Sequence, residues 1–269
     1  MQTGAELDRK EQRLRELIRG YGRCIVAYSG GVDSALVLHV ATQELGSDAI
    51  GITAHSASLP EREREGAVST ARASGALHEI IETREVEDPR YAANPENRCY
   101  FCKRELYGRL AEIARERSAS VVLDGFNVDD KSDWRPGRKA ASEFGVRSPL
   151  AEAGMRKDDV RELARRLDLH VWDKPAMACL SSRFPYGTQI TLELLARVER
   201  AEQVVLDEGI RECRVRHHGD VARIEVPLDL LPLVLEPDRR SRIIEGVRAT
   251  GYRHVVVDLD GYVRGGLNV

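Results

Sequence analysis

The sequence predicts an α/β protein in which a doubly wound parallel sheet is followed by a small α+β module. Three observations support this prediction. Short β-branched runs alternate with helical segments over about two thirds of the chain, a Gly-Gly pair separates the first strand from the next helix, and the pattern changes after Phe184. Such alternation is typical of parallel sheets whose strands are joined by crossover helices.

The larger domain is expected to cover residues 1–185. Its predicted strands, in chain order, are CIVAYSG, AIGITAHS, HEIIETREV and SVVLDG. Its predicted helices cover residues 1–20, 32–46, 60–75, 102–117 and 156–167. In these segments apolar residues recur at helical spacing, or charged residues mark an outer face.

Residues 186–269 are expected to form a C-terminal α+β module that binds substrate or mediates oligomerisation. FPYGTQIT is typical of a linker, and the apolar face of a helix follows it at Leu192, Leu195, Val198 and Val205. Two strands, ECRVRHH and VARIEVP, a helix over residues 239–250 and a last strand, HVVVDLDG, complete the module.

Composition excludes several classes of protein. A chain of 269 residues with 42% hydrophobic residues can bury a large core and is not disordered. Lys and Arg total 41 against 44 Asp and Glu, and the formal charge of −3 gives no general attraction to nucleic acid or to an anionic membrane. No apolar run approaches the roughly 20 residues of a membrane span, and the charged first helix does not resemble a signal peptide. We therefore expect a cytoplasmic protein without a nucleic-acid partner.

The strongest local signal is the string SGGVDS, from Ser29 to Ser34, between a predicted strand and a predicted helix. Gly30 and Gly31 allow the backbone to approach an anion, while the loop amides and the helix N-terminus present donors to phosphate. Asp33 fits beside phosphate when Mg²⁺ is bound, since a carboxylate can hold the ion. The full string in this context favours a phosphate site over an ordinary glycine turn with a Ser or Asp cap.

With this loop the sequence resembles the PP-loop ATP pyrophosphatases, which include GMP synthetase, NAD synthetase, asparagine synthetase and tRNA thiolases. The resemblance implies that ATP is cleaved to AMP and pyrophosphate while a carboxylate or carbonyl oxygen becomes an adenylate. It also implies that Ala27 and Gly125 flank the adenosine. The implied pyrophosphate-binding residues are Ser29, Gly30, Gly31, Asp33 and Ser34.

Three further stretches resemble the LarE family of sulfur-insertion proteins. They are MACLSSRFPYG (177–187), DGFNVDD followed by RPG (124–130 and 135–137), and RVRHHGD (214–220). The resemblance covers nearly the whole chain. It implies that ATP activates a carboxylate of pyridinium-3,5-biscarboxylic acid mononucleotide, which becomes a thiocarboxylate on the route to the nickel-pincer cofactor of lactate racemase. It also implies a homo-oligomer.

Cys179 is the candidate nucleophile. A thiolate attacks an acyl-adenylate readily, and the nearby Arg183 could lower the thiol pKa or bind a phosphate. Attack would expel AMP and leave a thioester. Removal of the Cys179 α-proton would then break the Cβ–S bond and leave dehydroalanine, so that each chain reacts once. The alternative is a small buried cysteine with a packing role.

Cys99 and Cys102 suggest a second route for the sulfur. The five cysteines, an odd number without an export signal, favour free thiols over a disulfide framework. With Cys179 the pair supplies three thiolates, the number that holds a [4Fe–4S] cluster with one iron open to sulfide, as in related thiolases. Zinc has no evident fourth ligand nearby. The sacrificial route, the cluster route and a pair without any ligand role all stay open at this point.

The remaining candidates are charged or hydroxyl side chains. The family resemblance puts Lys103 by the substrate carboxylate or the ATP phosphates, although a solvated lysine at a helix start is the alternative. Ser182, Arg183 and Arg214 are candidates for the substrate phosphate, since arginine suits bidentate contacts. Arg214 is the weaker of these candidates, because surface arginines are common. Glu202 could provide a carboxylate near the active site, although helix glutamates are usually solvated.

Two other enzyme functions would use the same loop. A tRNA thiolase needs a basic RNA surface, which a charge of −3 does not supply. An ammonia-dependent amidotransferase gives no role to Cys99, Cys102 or Cys179. A nucleotide-binding regulatory module without turnover is a further alternative. The sequence therefore predicts an ATP-dependent sulfurtransferase of LarE type.

Overall fold

The computed structural model describes residues 4–131, 136–175, 178–263 and 267. Residues 1–3 of the predicted first helix, and the motif residues Arg135 and Met177, lie outside the described residues. The chain divides into two compact units, one formed by Met1–Glu85 with Asn97–Met177 and the other by Val86–Glu96 with Ala178–Val269. These compact units divide the chain at other positions than residue 185. The domain boundary after residue 185 stays a prediction.

The first unit contains a parallel sheet of four strands in the order β3-β2-β1-β4. The strands are β1 Cys24–Ala27, β2 Ala49–His55, β3 Leu77–Glu82 and β4 Val121–Leu123. In the register Ile25 lies between Ile50 of β2 and Val122 of β4. The predicted doubly wound α/β class is therefore confirmed.

Eleven α-helices lie within the described residues. They are α1 Gly4–Tyr21, α2 Val32–Leu45, α3 Glu61–Ala73, α4 Pro89–Ala92, α5 Arg98–Glu116, α6 Gly137–Glu143, α7 Pro149–Glu152, α8 Lys157–Arg166, α9 Leu192–Asp207, α10 Leu231–Val234 and α11 Pro237–Ala249. None of these helices is long and apolar enough to cross a membrane.

The central strand of the first unit is buried on both faces. Cys24 and Val26 belong to a core cluster that includes Leu36 of α2. Ile25 points to the other face, into a cluster with Leu110 of α5. Successive side chains of a strand point to opposite faces, so a strand covered by helices on both sides needs the continuous apolar run that CIVA provides.

The second unit has a small mixed sheet with the order β5-β6-β7. Its strands are β5 Arg214–His218, β6 Val221–Glu225 and β7 His254–Val257; β5 and β6 are antiparallel, whereas β6 and β7 are parallel. Val205 of α9 and Val247 of α11 pack with Ile224 in its core. This arrangement confirms the predicted small α+β module.

The element ends differ from the predictions in ways that concern the site. The third strand ends at Glu82 instead of residue 86, and α5 begins at Arg98 instead of residue 102. Asp88 accepts a hydrogen bond from Arg90 N (2.9 Å) and caps the short helix α4, whose first residue is Pro89. Because α5 starts early, Cys99 and Cys102 both lie in its first turns.

Candidate active site

The loop between β1 and α2 approaches its neighbours closely. Gly30 has a φ of +73°, and a Cβ atom there would lie 2.8 Å from the Cβ of Ala67 on α3. Gly31 caps α2, and Ser34 Oγ donates to Gly31 O (3.1 Å) while accepting from Ser29 N (3.1 Å). The predicted phosphate loop therefore has a fixed conformation that only glycine permits at residue 30.

Gly125 lies against the start of the same helix. A Cβ atom at Gly125 would lie 2.7 Å from Ser34 N and 3.0 Å from the Asp33 Cβ. Gly125 follows β4, and β1 and β4 are neighbours whose connections lead away in opposite directions. In open α/β sheets this switch point, at the carboxyl ends of the strands, is where ligands bind. Ala27, Gly125 and the SGGVDS loop thus meet at one edge of the sheet.

Asp33 is held by two side chains that lie outside the SGGVDS loop. Lys157 Nζ, at the first residue of α8, lies 2.5 Å from Asp33 Oδ2. Asn127 Nδ2 donates to Asp33 Oδ1 (3.1 Å), and the Asn127 Oδ1 in turn accepts from Asp129 N (2.9 Å). Asn127 belongs to the DGFNVDD string, but no sequence signal marks Lys157, which reaches the loop only through the fold.

Lys174 is a second lysine at the loop that sequence reasoning missed. Its Nζ lies 2.8 Å from Glu63 of α3 and donates to the Gly30 carbonyl (3.3 Å). With Lys157, it brings two positive charges to the edge of the sheet that carries the SGGVDS loop. Anions such as phosphate are favoured where lysine ammonium groups and helix N-termini converge.

Cys99 and Cys102 occupy the first turns of α5, where Cys99 is exposed and Cys102 is half-buried. Lys103 is half-buried, and its Nζ lies 5.6 Å from the Tyr107 ring centroid. The neighbouring Tyr107, and more weakly Cys102, raise the pKa of Lys103, although burial acts to lower it. Gly137 at the start of α6 packs against this lysine, since a Cβ there would lie 2.8 Å from Lys103 Cγ.

A polar network links this region to the end of β4. Asp124 accepts hydrogen bonds from Ser148 Oγ (2.7 Å) and Arg138 Nη1 (3.1 Å). Tyr107 also donates to Asp124 (3.4 Å), and burial raises the pKa of Tyr107 to about 12. The residue before Gly125 is thereby fixed from three sides.

In the second unit, Cys179 precedes a 3-10 turn at Leu180–Arg183. Cys179 is half-buried, so packing alone does not account for it as it does for the fully buried Cys24 and Cys213. The Cys179 carbonyl accepts from Ser182 N (2.9 Å) and from Arg183 Nη1 (3.0 Å). Arg216 Nη1 donates to the Ser182 carbonyl (2.9 Å), so two arginines hold the backbone of the turn.

Arg183 forms a buried ion pair with Glu202 of α9. The two residues are 1% and 0% exposed, and Arg183 Nε and Nη2 donate to the two carboxylate oxygens at 2.8 and 3.0 Å. Burial disfavours both charges, yet their mutual attraction holds the pKa of Glu202 below its ordinary value and that of Arg183 above it. Of the two alternatives for Glu202, the solvated helix glutamate is therefore wrong.

This geometry also bears on the predicted phosphate contact of Arg183. Its Nη1 donates to Ala178 O (2.7 Å), to Cys179 O and to Ser182 Oγ (3.0 Å), so that all three of its nitrogens have acceptors. One of the two Nη2 N–H groups has no acceptor among these contacts, so the predicted phosphate contact of Arg183 stays a prediction. These contacts also let Arg183 hold the backbone of the cysteine turn in position.

Arg214 is buried, so the interpretation as an ordinary surface arginine is wrong. Its guanidinium donates to Cys213 O (2.7 Å) and lies 4.9 Å from the Tyr262 ring centroid. Ser182 is half-buried in the cysteine turn. Within each unit, the part of the chain that the structure describes contains no group of three His, Cys, Asp or Glu side chains that could hold a metal ion.

Known proteins similar to this chain include two of nearly the same length. It is 45% identical over 262 residues to an uncharacterized protein of Synechocystis sp., covering 97% of this chain and 98% of the relative. It is 38% identical over 266 residues to the pyridinium-3,5-bisthiocarboxylic acid mononucleotide synthase of Lactiplantibacillus plantarum, covering 98% and 95%. The tRNA-specific 2-thiouridylase of Azorhizobium caulinodans is 30% identical over 198 residues, covering 57% and 49%. No protein-family model matches the chain.

A parallel sheet with the SGGVDS loop at its switch point defines an ATP-using enzyme of the PP-loop class. Partial likeness to the thiouridylase agrees with that class. Within it, the near full-length identity to the mononucleotide synthase shows that the chain belongs to the LarE family of ATP-dependent sulfurtransferases. The predicted family and enzyme class are confirmed.

Proposed function

We propose that this enzyme adenylates a carboxylate of pyridinium-3,5-biscarboxylic acid mononucleotide and converts it to a thiocarboxylate in nickel-pincer cofactor synthesis. The name of the Lactiplantibacillus relative supports this substrate. The observation that carries the proposal is the pairing, in one chain, of an ordered SGGVDS loop with a half-buried cysteine on a turn held by two arginines.

In the first step the substrate carboxylate attacks the α-phosphorus of ATP, and pyrophosphate leaves. Ser29, Gly30, Gly31 and Ser34 hold the departing pyrophosphate with loop amides and hydroxyl groups, while Ala27 and Gly125 border the adenosine. Asp33 fits a Mg²⁺ ion because its carboxylate lies at the first turn of α2, and the ion would neutralise phosphate charge there. When Asp33 holds Mg²⁺, the Lys157 ammonium group pairs with the pyrophosphate instead of with Asp33.

In the second step the Cys179 thiolate attacks the acyl-adenylate carbonyl, and AMP leaves with the bonding electron pair. Loss of the Cys179 α-proton to a base and cleavage of its Cβ–S bond then leave a thiocarboxylate on the substrate and dehydroalanine in the chain. Ser182 and Arg214 contact the substrate phosphate, and Lys103 faces a substrate carboxylate. Arg183 fixes the turn and is the third candidate for the substrate phosphate.

Cys99, Cys102 and Cys179 supply the alternative source of sulfur, a [4Fe–4S] cluster that would deliver sulfide from its open iron. The spacing of the pair fits two cluster ligands, since residues three apart lie on the same face of a helix. Neither side chain is fully buried. In this form the protein would turn over repeatedly.

Further parts of the proposal concern the setting of the reaction. We expect a cytoplasmic homo-oligomer in which residues 1–185 bind ATP and residues 186–269 bind substrate or a second subunit. The partner is a small mononucleotide and not a nucleic acid.

Pyrophosphate release tests the proposed substrate. Full-length enzyme with Mg-ATP is given the pyridinium mononucleotide, a tRNA transcript, or nicotinic acid adenine dinucleotide with ammonia. We expect pyrophosphate and thiocarboxylate to form only with the pyridinium mononucleotide. Release only with tRNA would assign the enzyme to the thiolases, and release only with the dinucleotide to the amidotransferases.

A further inference from the structure

Glu85 is a buried carboxylate that the proposed chemistry does not use. It follows β3 and is 2% exposed, and its Oε1 accepts a hydrogen bond from Ser58 Oγ (2.8 Å). Ser58 itself is 4% exposed. Among the described residues no other hydrogen bond and no ion pair reaches the Glu85 side chain.

A carboxylate can accept about four hydrogen bonds, and a buried charge with a single neutral partner is costly. The enclosed side-chain atoms without a partner, in the part of the chain that the structure describes, belong to His39 and Arg223. The second carboxylate oxygen of Glu85 is therefore not fully buried and is accessible to a ligand. An open acceptor on a nearly buried carboxylate is a position where a ligand can supply the missing donors.

The surroundings of Glu85 point to the edge of the sheet that carries the SGGVDS loop. Ser58 lies in the connection from β2 to α3, where its Oγ also meets Ser56 Oγ (2.9 Å). Thr83 N donates to His55 O (3.0 Å), so the ends of β2 and β3 stay together at this edge. The helix that follows, α3, packs against Gly30 through Ala67.

We propose that Glu85, assisted by Ser56, binds the vicinal ribose hydroxyls of a nucleotide. Two adjacent hydroxyl groups donate well to one carboxylate, and an acidic residue near a strand's carboxyl end serves ribose in this way in other open α/β sheets. The ligand class is a ribonucleotide. The inference rests on the proposed function, in which ATP and a pyridinium mononucleotide, both with ribose, bind at this edge.

Two variants separate ribose binding from a purely structural role. In Glu85→Gln the amide oxygen can still accept from Ser58, so the bond between the two connections is kept while the charged acceptor is lost. In Ser58→Ala that bond is lost while the carboxylate is kept. Thermal unfolding of each variant checks that it folds.

The experiment is calorimetric titration of the full-length protein with Mg-ATP, 2′-deoxy-ATP and 3′-deoxy-ATP. The wild type should bind ATP about 10-fold or more tightly than either analogue, the size of a hydrogen bond to a charged group. Glu85→Gln should lose most of this preference, and Ser58→Ala should keep it. This result would assign the ribose to ATP, and because the titration needs no turnover it is independent of the sulfur chemistry.

A second arm covers the other ribose. If the ATP preference is unchanged in Glu85→Gln, the KM for the pyridinium mononucleotide in pyrophosphate release should instead rise about tenfold at an unchanged kcat. The proposal is overturned if neither quantity changes, or if both variants weaken ATP and its deoxy analogues equally. Absence of pyrophosphate release from the wild type would refute the proposed function instead, and the ATP titration would then decide alone.

Discussion

Sulfur transfer depends on the thiol of Cys179, whose surroundings differ from those of the other cysteines. Arg183 donates a hydrogen bond to the Cys179 carbonyl, and Arg216 donates one to the carbonyl of Ser182 in the same turn. A nucleophile on a turn fixed by its own backbone keeps its position during attack. Chemical reasoning from the sequence selects Cys179, but it does not show which side chains hold the turn.

Cys179→Ser should abolish thiocarboxylate formation while pyrophosphate release continues. The hydroxyl is a far weaker nucleophile than a thiolate, whereas the phosphate loop is unaltered. Pyrophosphate and product are measured together. Cys24→Ser, a change in the buried strand β1, is unsuitable as a control because it disturbs the core. Pyrophosphate release by the same Cys179→Ser variant is the internal control, because it shows that the ATP site is intact. A Cys179→Ser variant that still forms product would contradict the proposal.

Lys157→Met should lower the rate of pyrophosphate release about 100-fold to 1,000-fold, the range for removing one preorganised electrostatic contact. The lysine supplies the positive charge next to Asp33, and the loss should be larger in kcat than in the KM for ATP. Arg156→Met is the matched control, because Arg156 is the adjacent residue and its exposed side chain faces Asp129 instead. Equal effects of the two changes would show that only the general positive charge of the region matters.

Sequence and structure agree unevenly at the scale of residues. The roles suggested for Gly30 and Gly125 follow from residue type, because glycine alone tolerates the close approaches found there. The ion pair of Arg183 with Glu202 could not be predicted from the sequence, because its burial depends on how α9 packs against the turn. A side chain's partner across the fold cannot be derived from spacing along the chain.

At the scale of elements, the site is built from the junction of β1, its loop and α2 with the end of β4. The strands were predictable from apolar runs, because a strand covered on both faces needs nearly continuous β-branched residues. The start of α5 at Arg98 could not be predicted, since its first residues carry no apolar pattern of helical period. The short helices α4, α6 and α7 were missed because four to seven residues give too few turns to show a pattern.

Gly125→Ala should weaken ATP binding and lower the free energy of unfolding by about 1–3 kcal/mol, the usual cost of overpacking. The new methyl group would lie 2.7 Å from Ser34 N, a backbone atom at the start of α2 that cannot move without distorting the loop. Denaturant unfolding and ATP titration measure the two effects. Gly20→Ala on α1, with no atom within 4 Å of its Cβ, should leave ATP affinity unchanged and slightly raise stability.

Glu202→Gln should destabilise the protein by about 3–5 kcal/mol at pH 7, because Arg183 would keep a buried charge without its counterion. The folded-state pKa of Glu202 is lowered, so its contribution is present above the unfolded value near 4.5 and is lost as pH falls below it. The difference between wild type and variant should therefore shrink on acidification. Denaturant unfolding at a series of pH values measures it.

Glu208→Gln is the control, since Glu208 follows α9 and its half-buried carboxylate pairs with the exposed Arg242. Its effect should be small at every pH. A Glu202→Gln variant as stable as the Glu208→Gln variant would show that the buried pair does not hold the turn.

At the scale of the molecule, the fold class and the family could be predicted because motifs from both ends of the chain agree. SGGVDS marks the sheet's switch point, and CLSSRFPYG with RVRHHGD marks the second unit. The transfer of Val86–Glu96 to the second unit could not be predicted, because it depends on packing between distant parts of the sequence. Asn94, for example, donates to the carbonyls of Phe184 and Pro185 (3.3 and 2.8 Å).

The number of turnovers per chain distinguishes the two sulfur sources and is a property of the whole protein. If Cys179 is consumed, anaerobically purified enzyme should form at most one thiocarboxylate per chain, and the intact mass should fall by about 34 Da, one H₂S, at Cys179. Added sulfide should not increase the yield, and Cys99→Ser with Cys102→Ser should not lower it. If the three cysteines hold a cluster, iron and acid-labile sulfide should be stoichiometric, the mass should stay unchanged and added sulfide should support many turnovers that the double variant loses. Because a chain that has lost its Cys179 sulfur cannot react again, a yield above one product per chain without any cluster would contradict both routes.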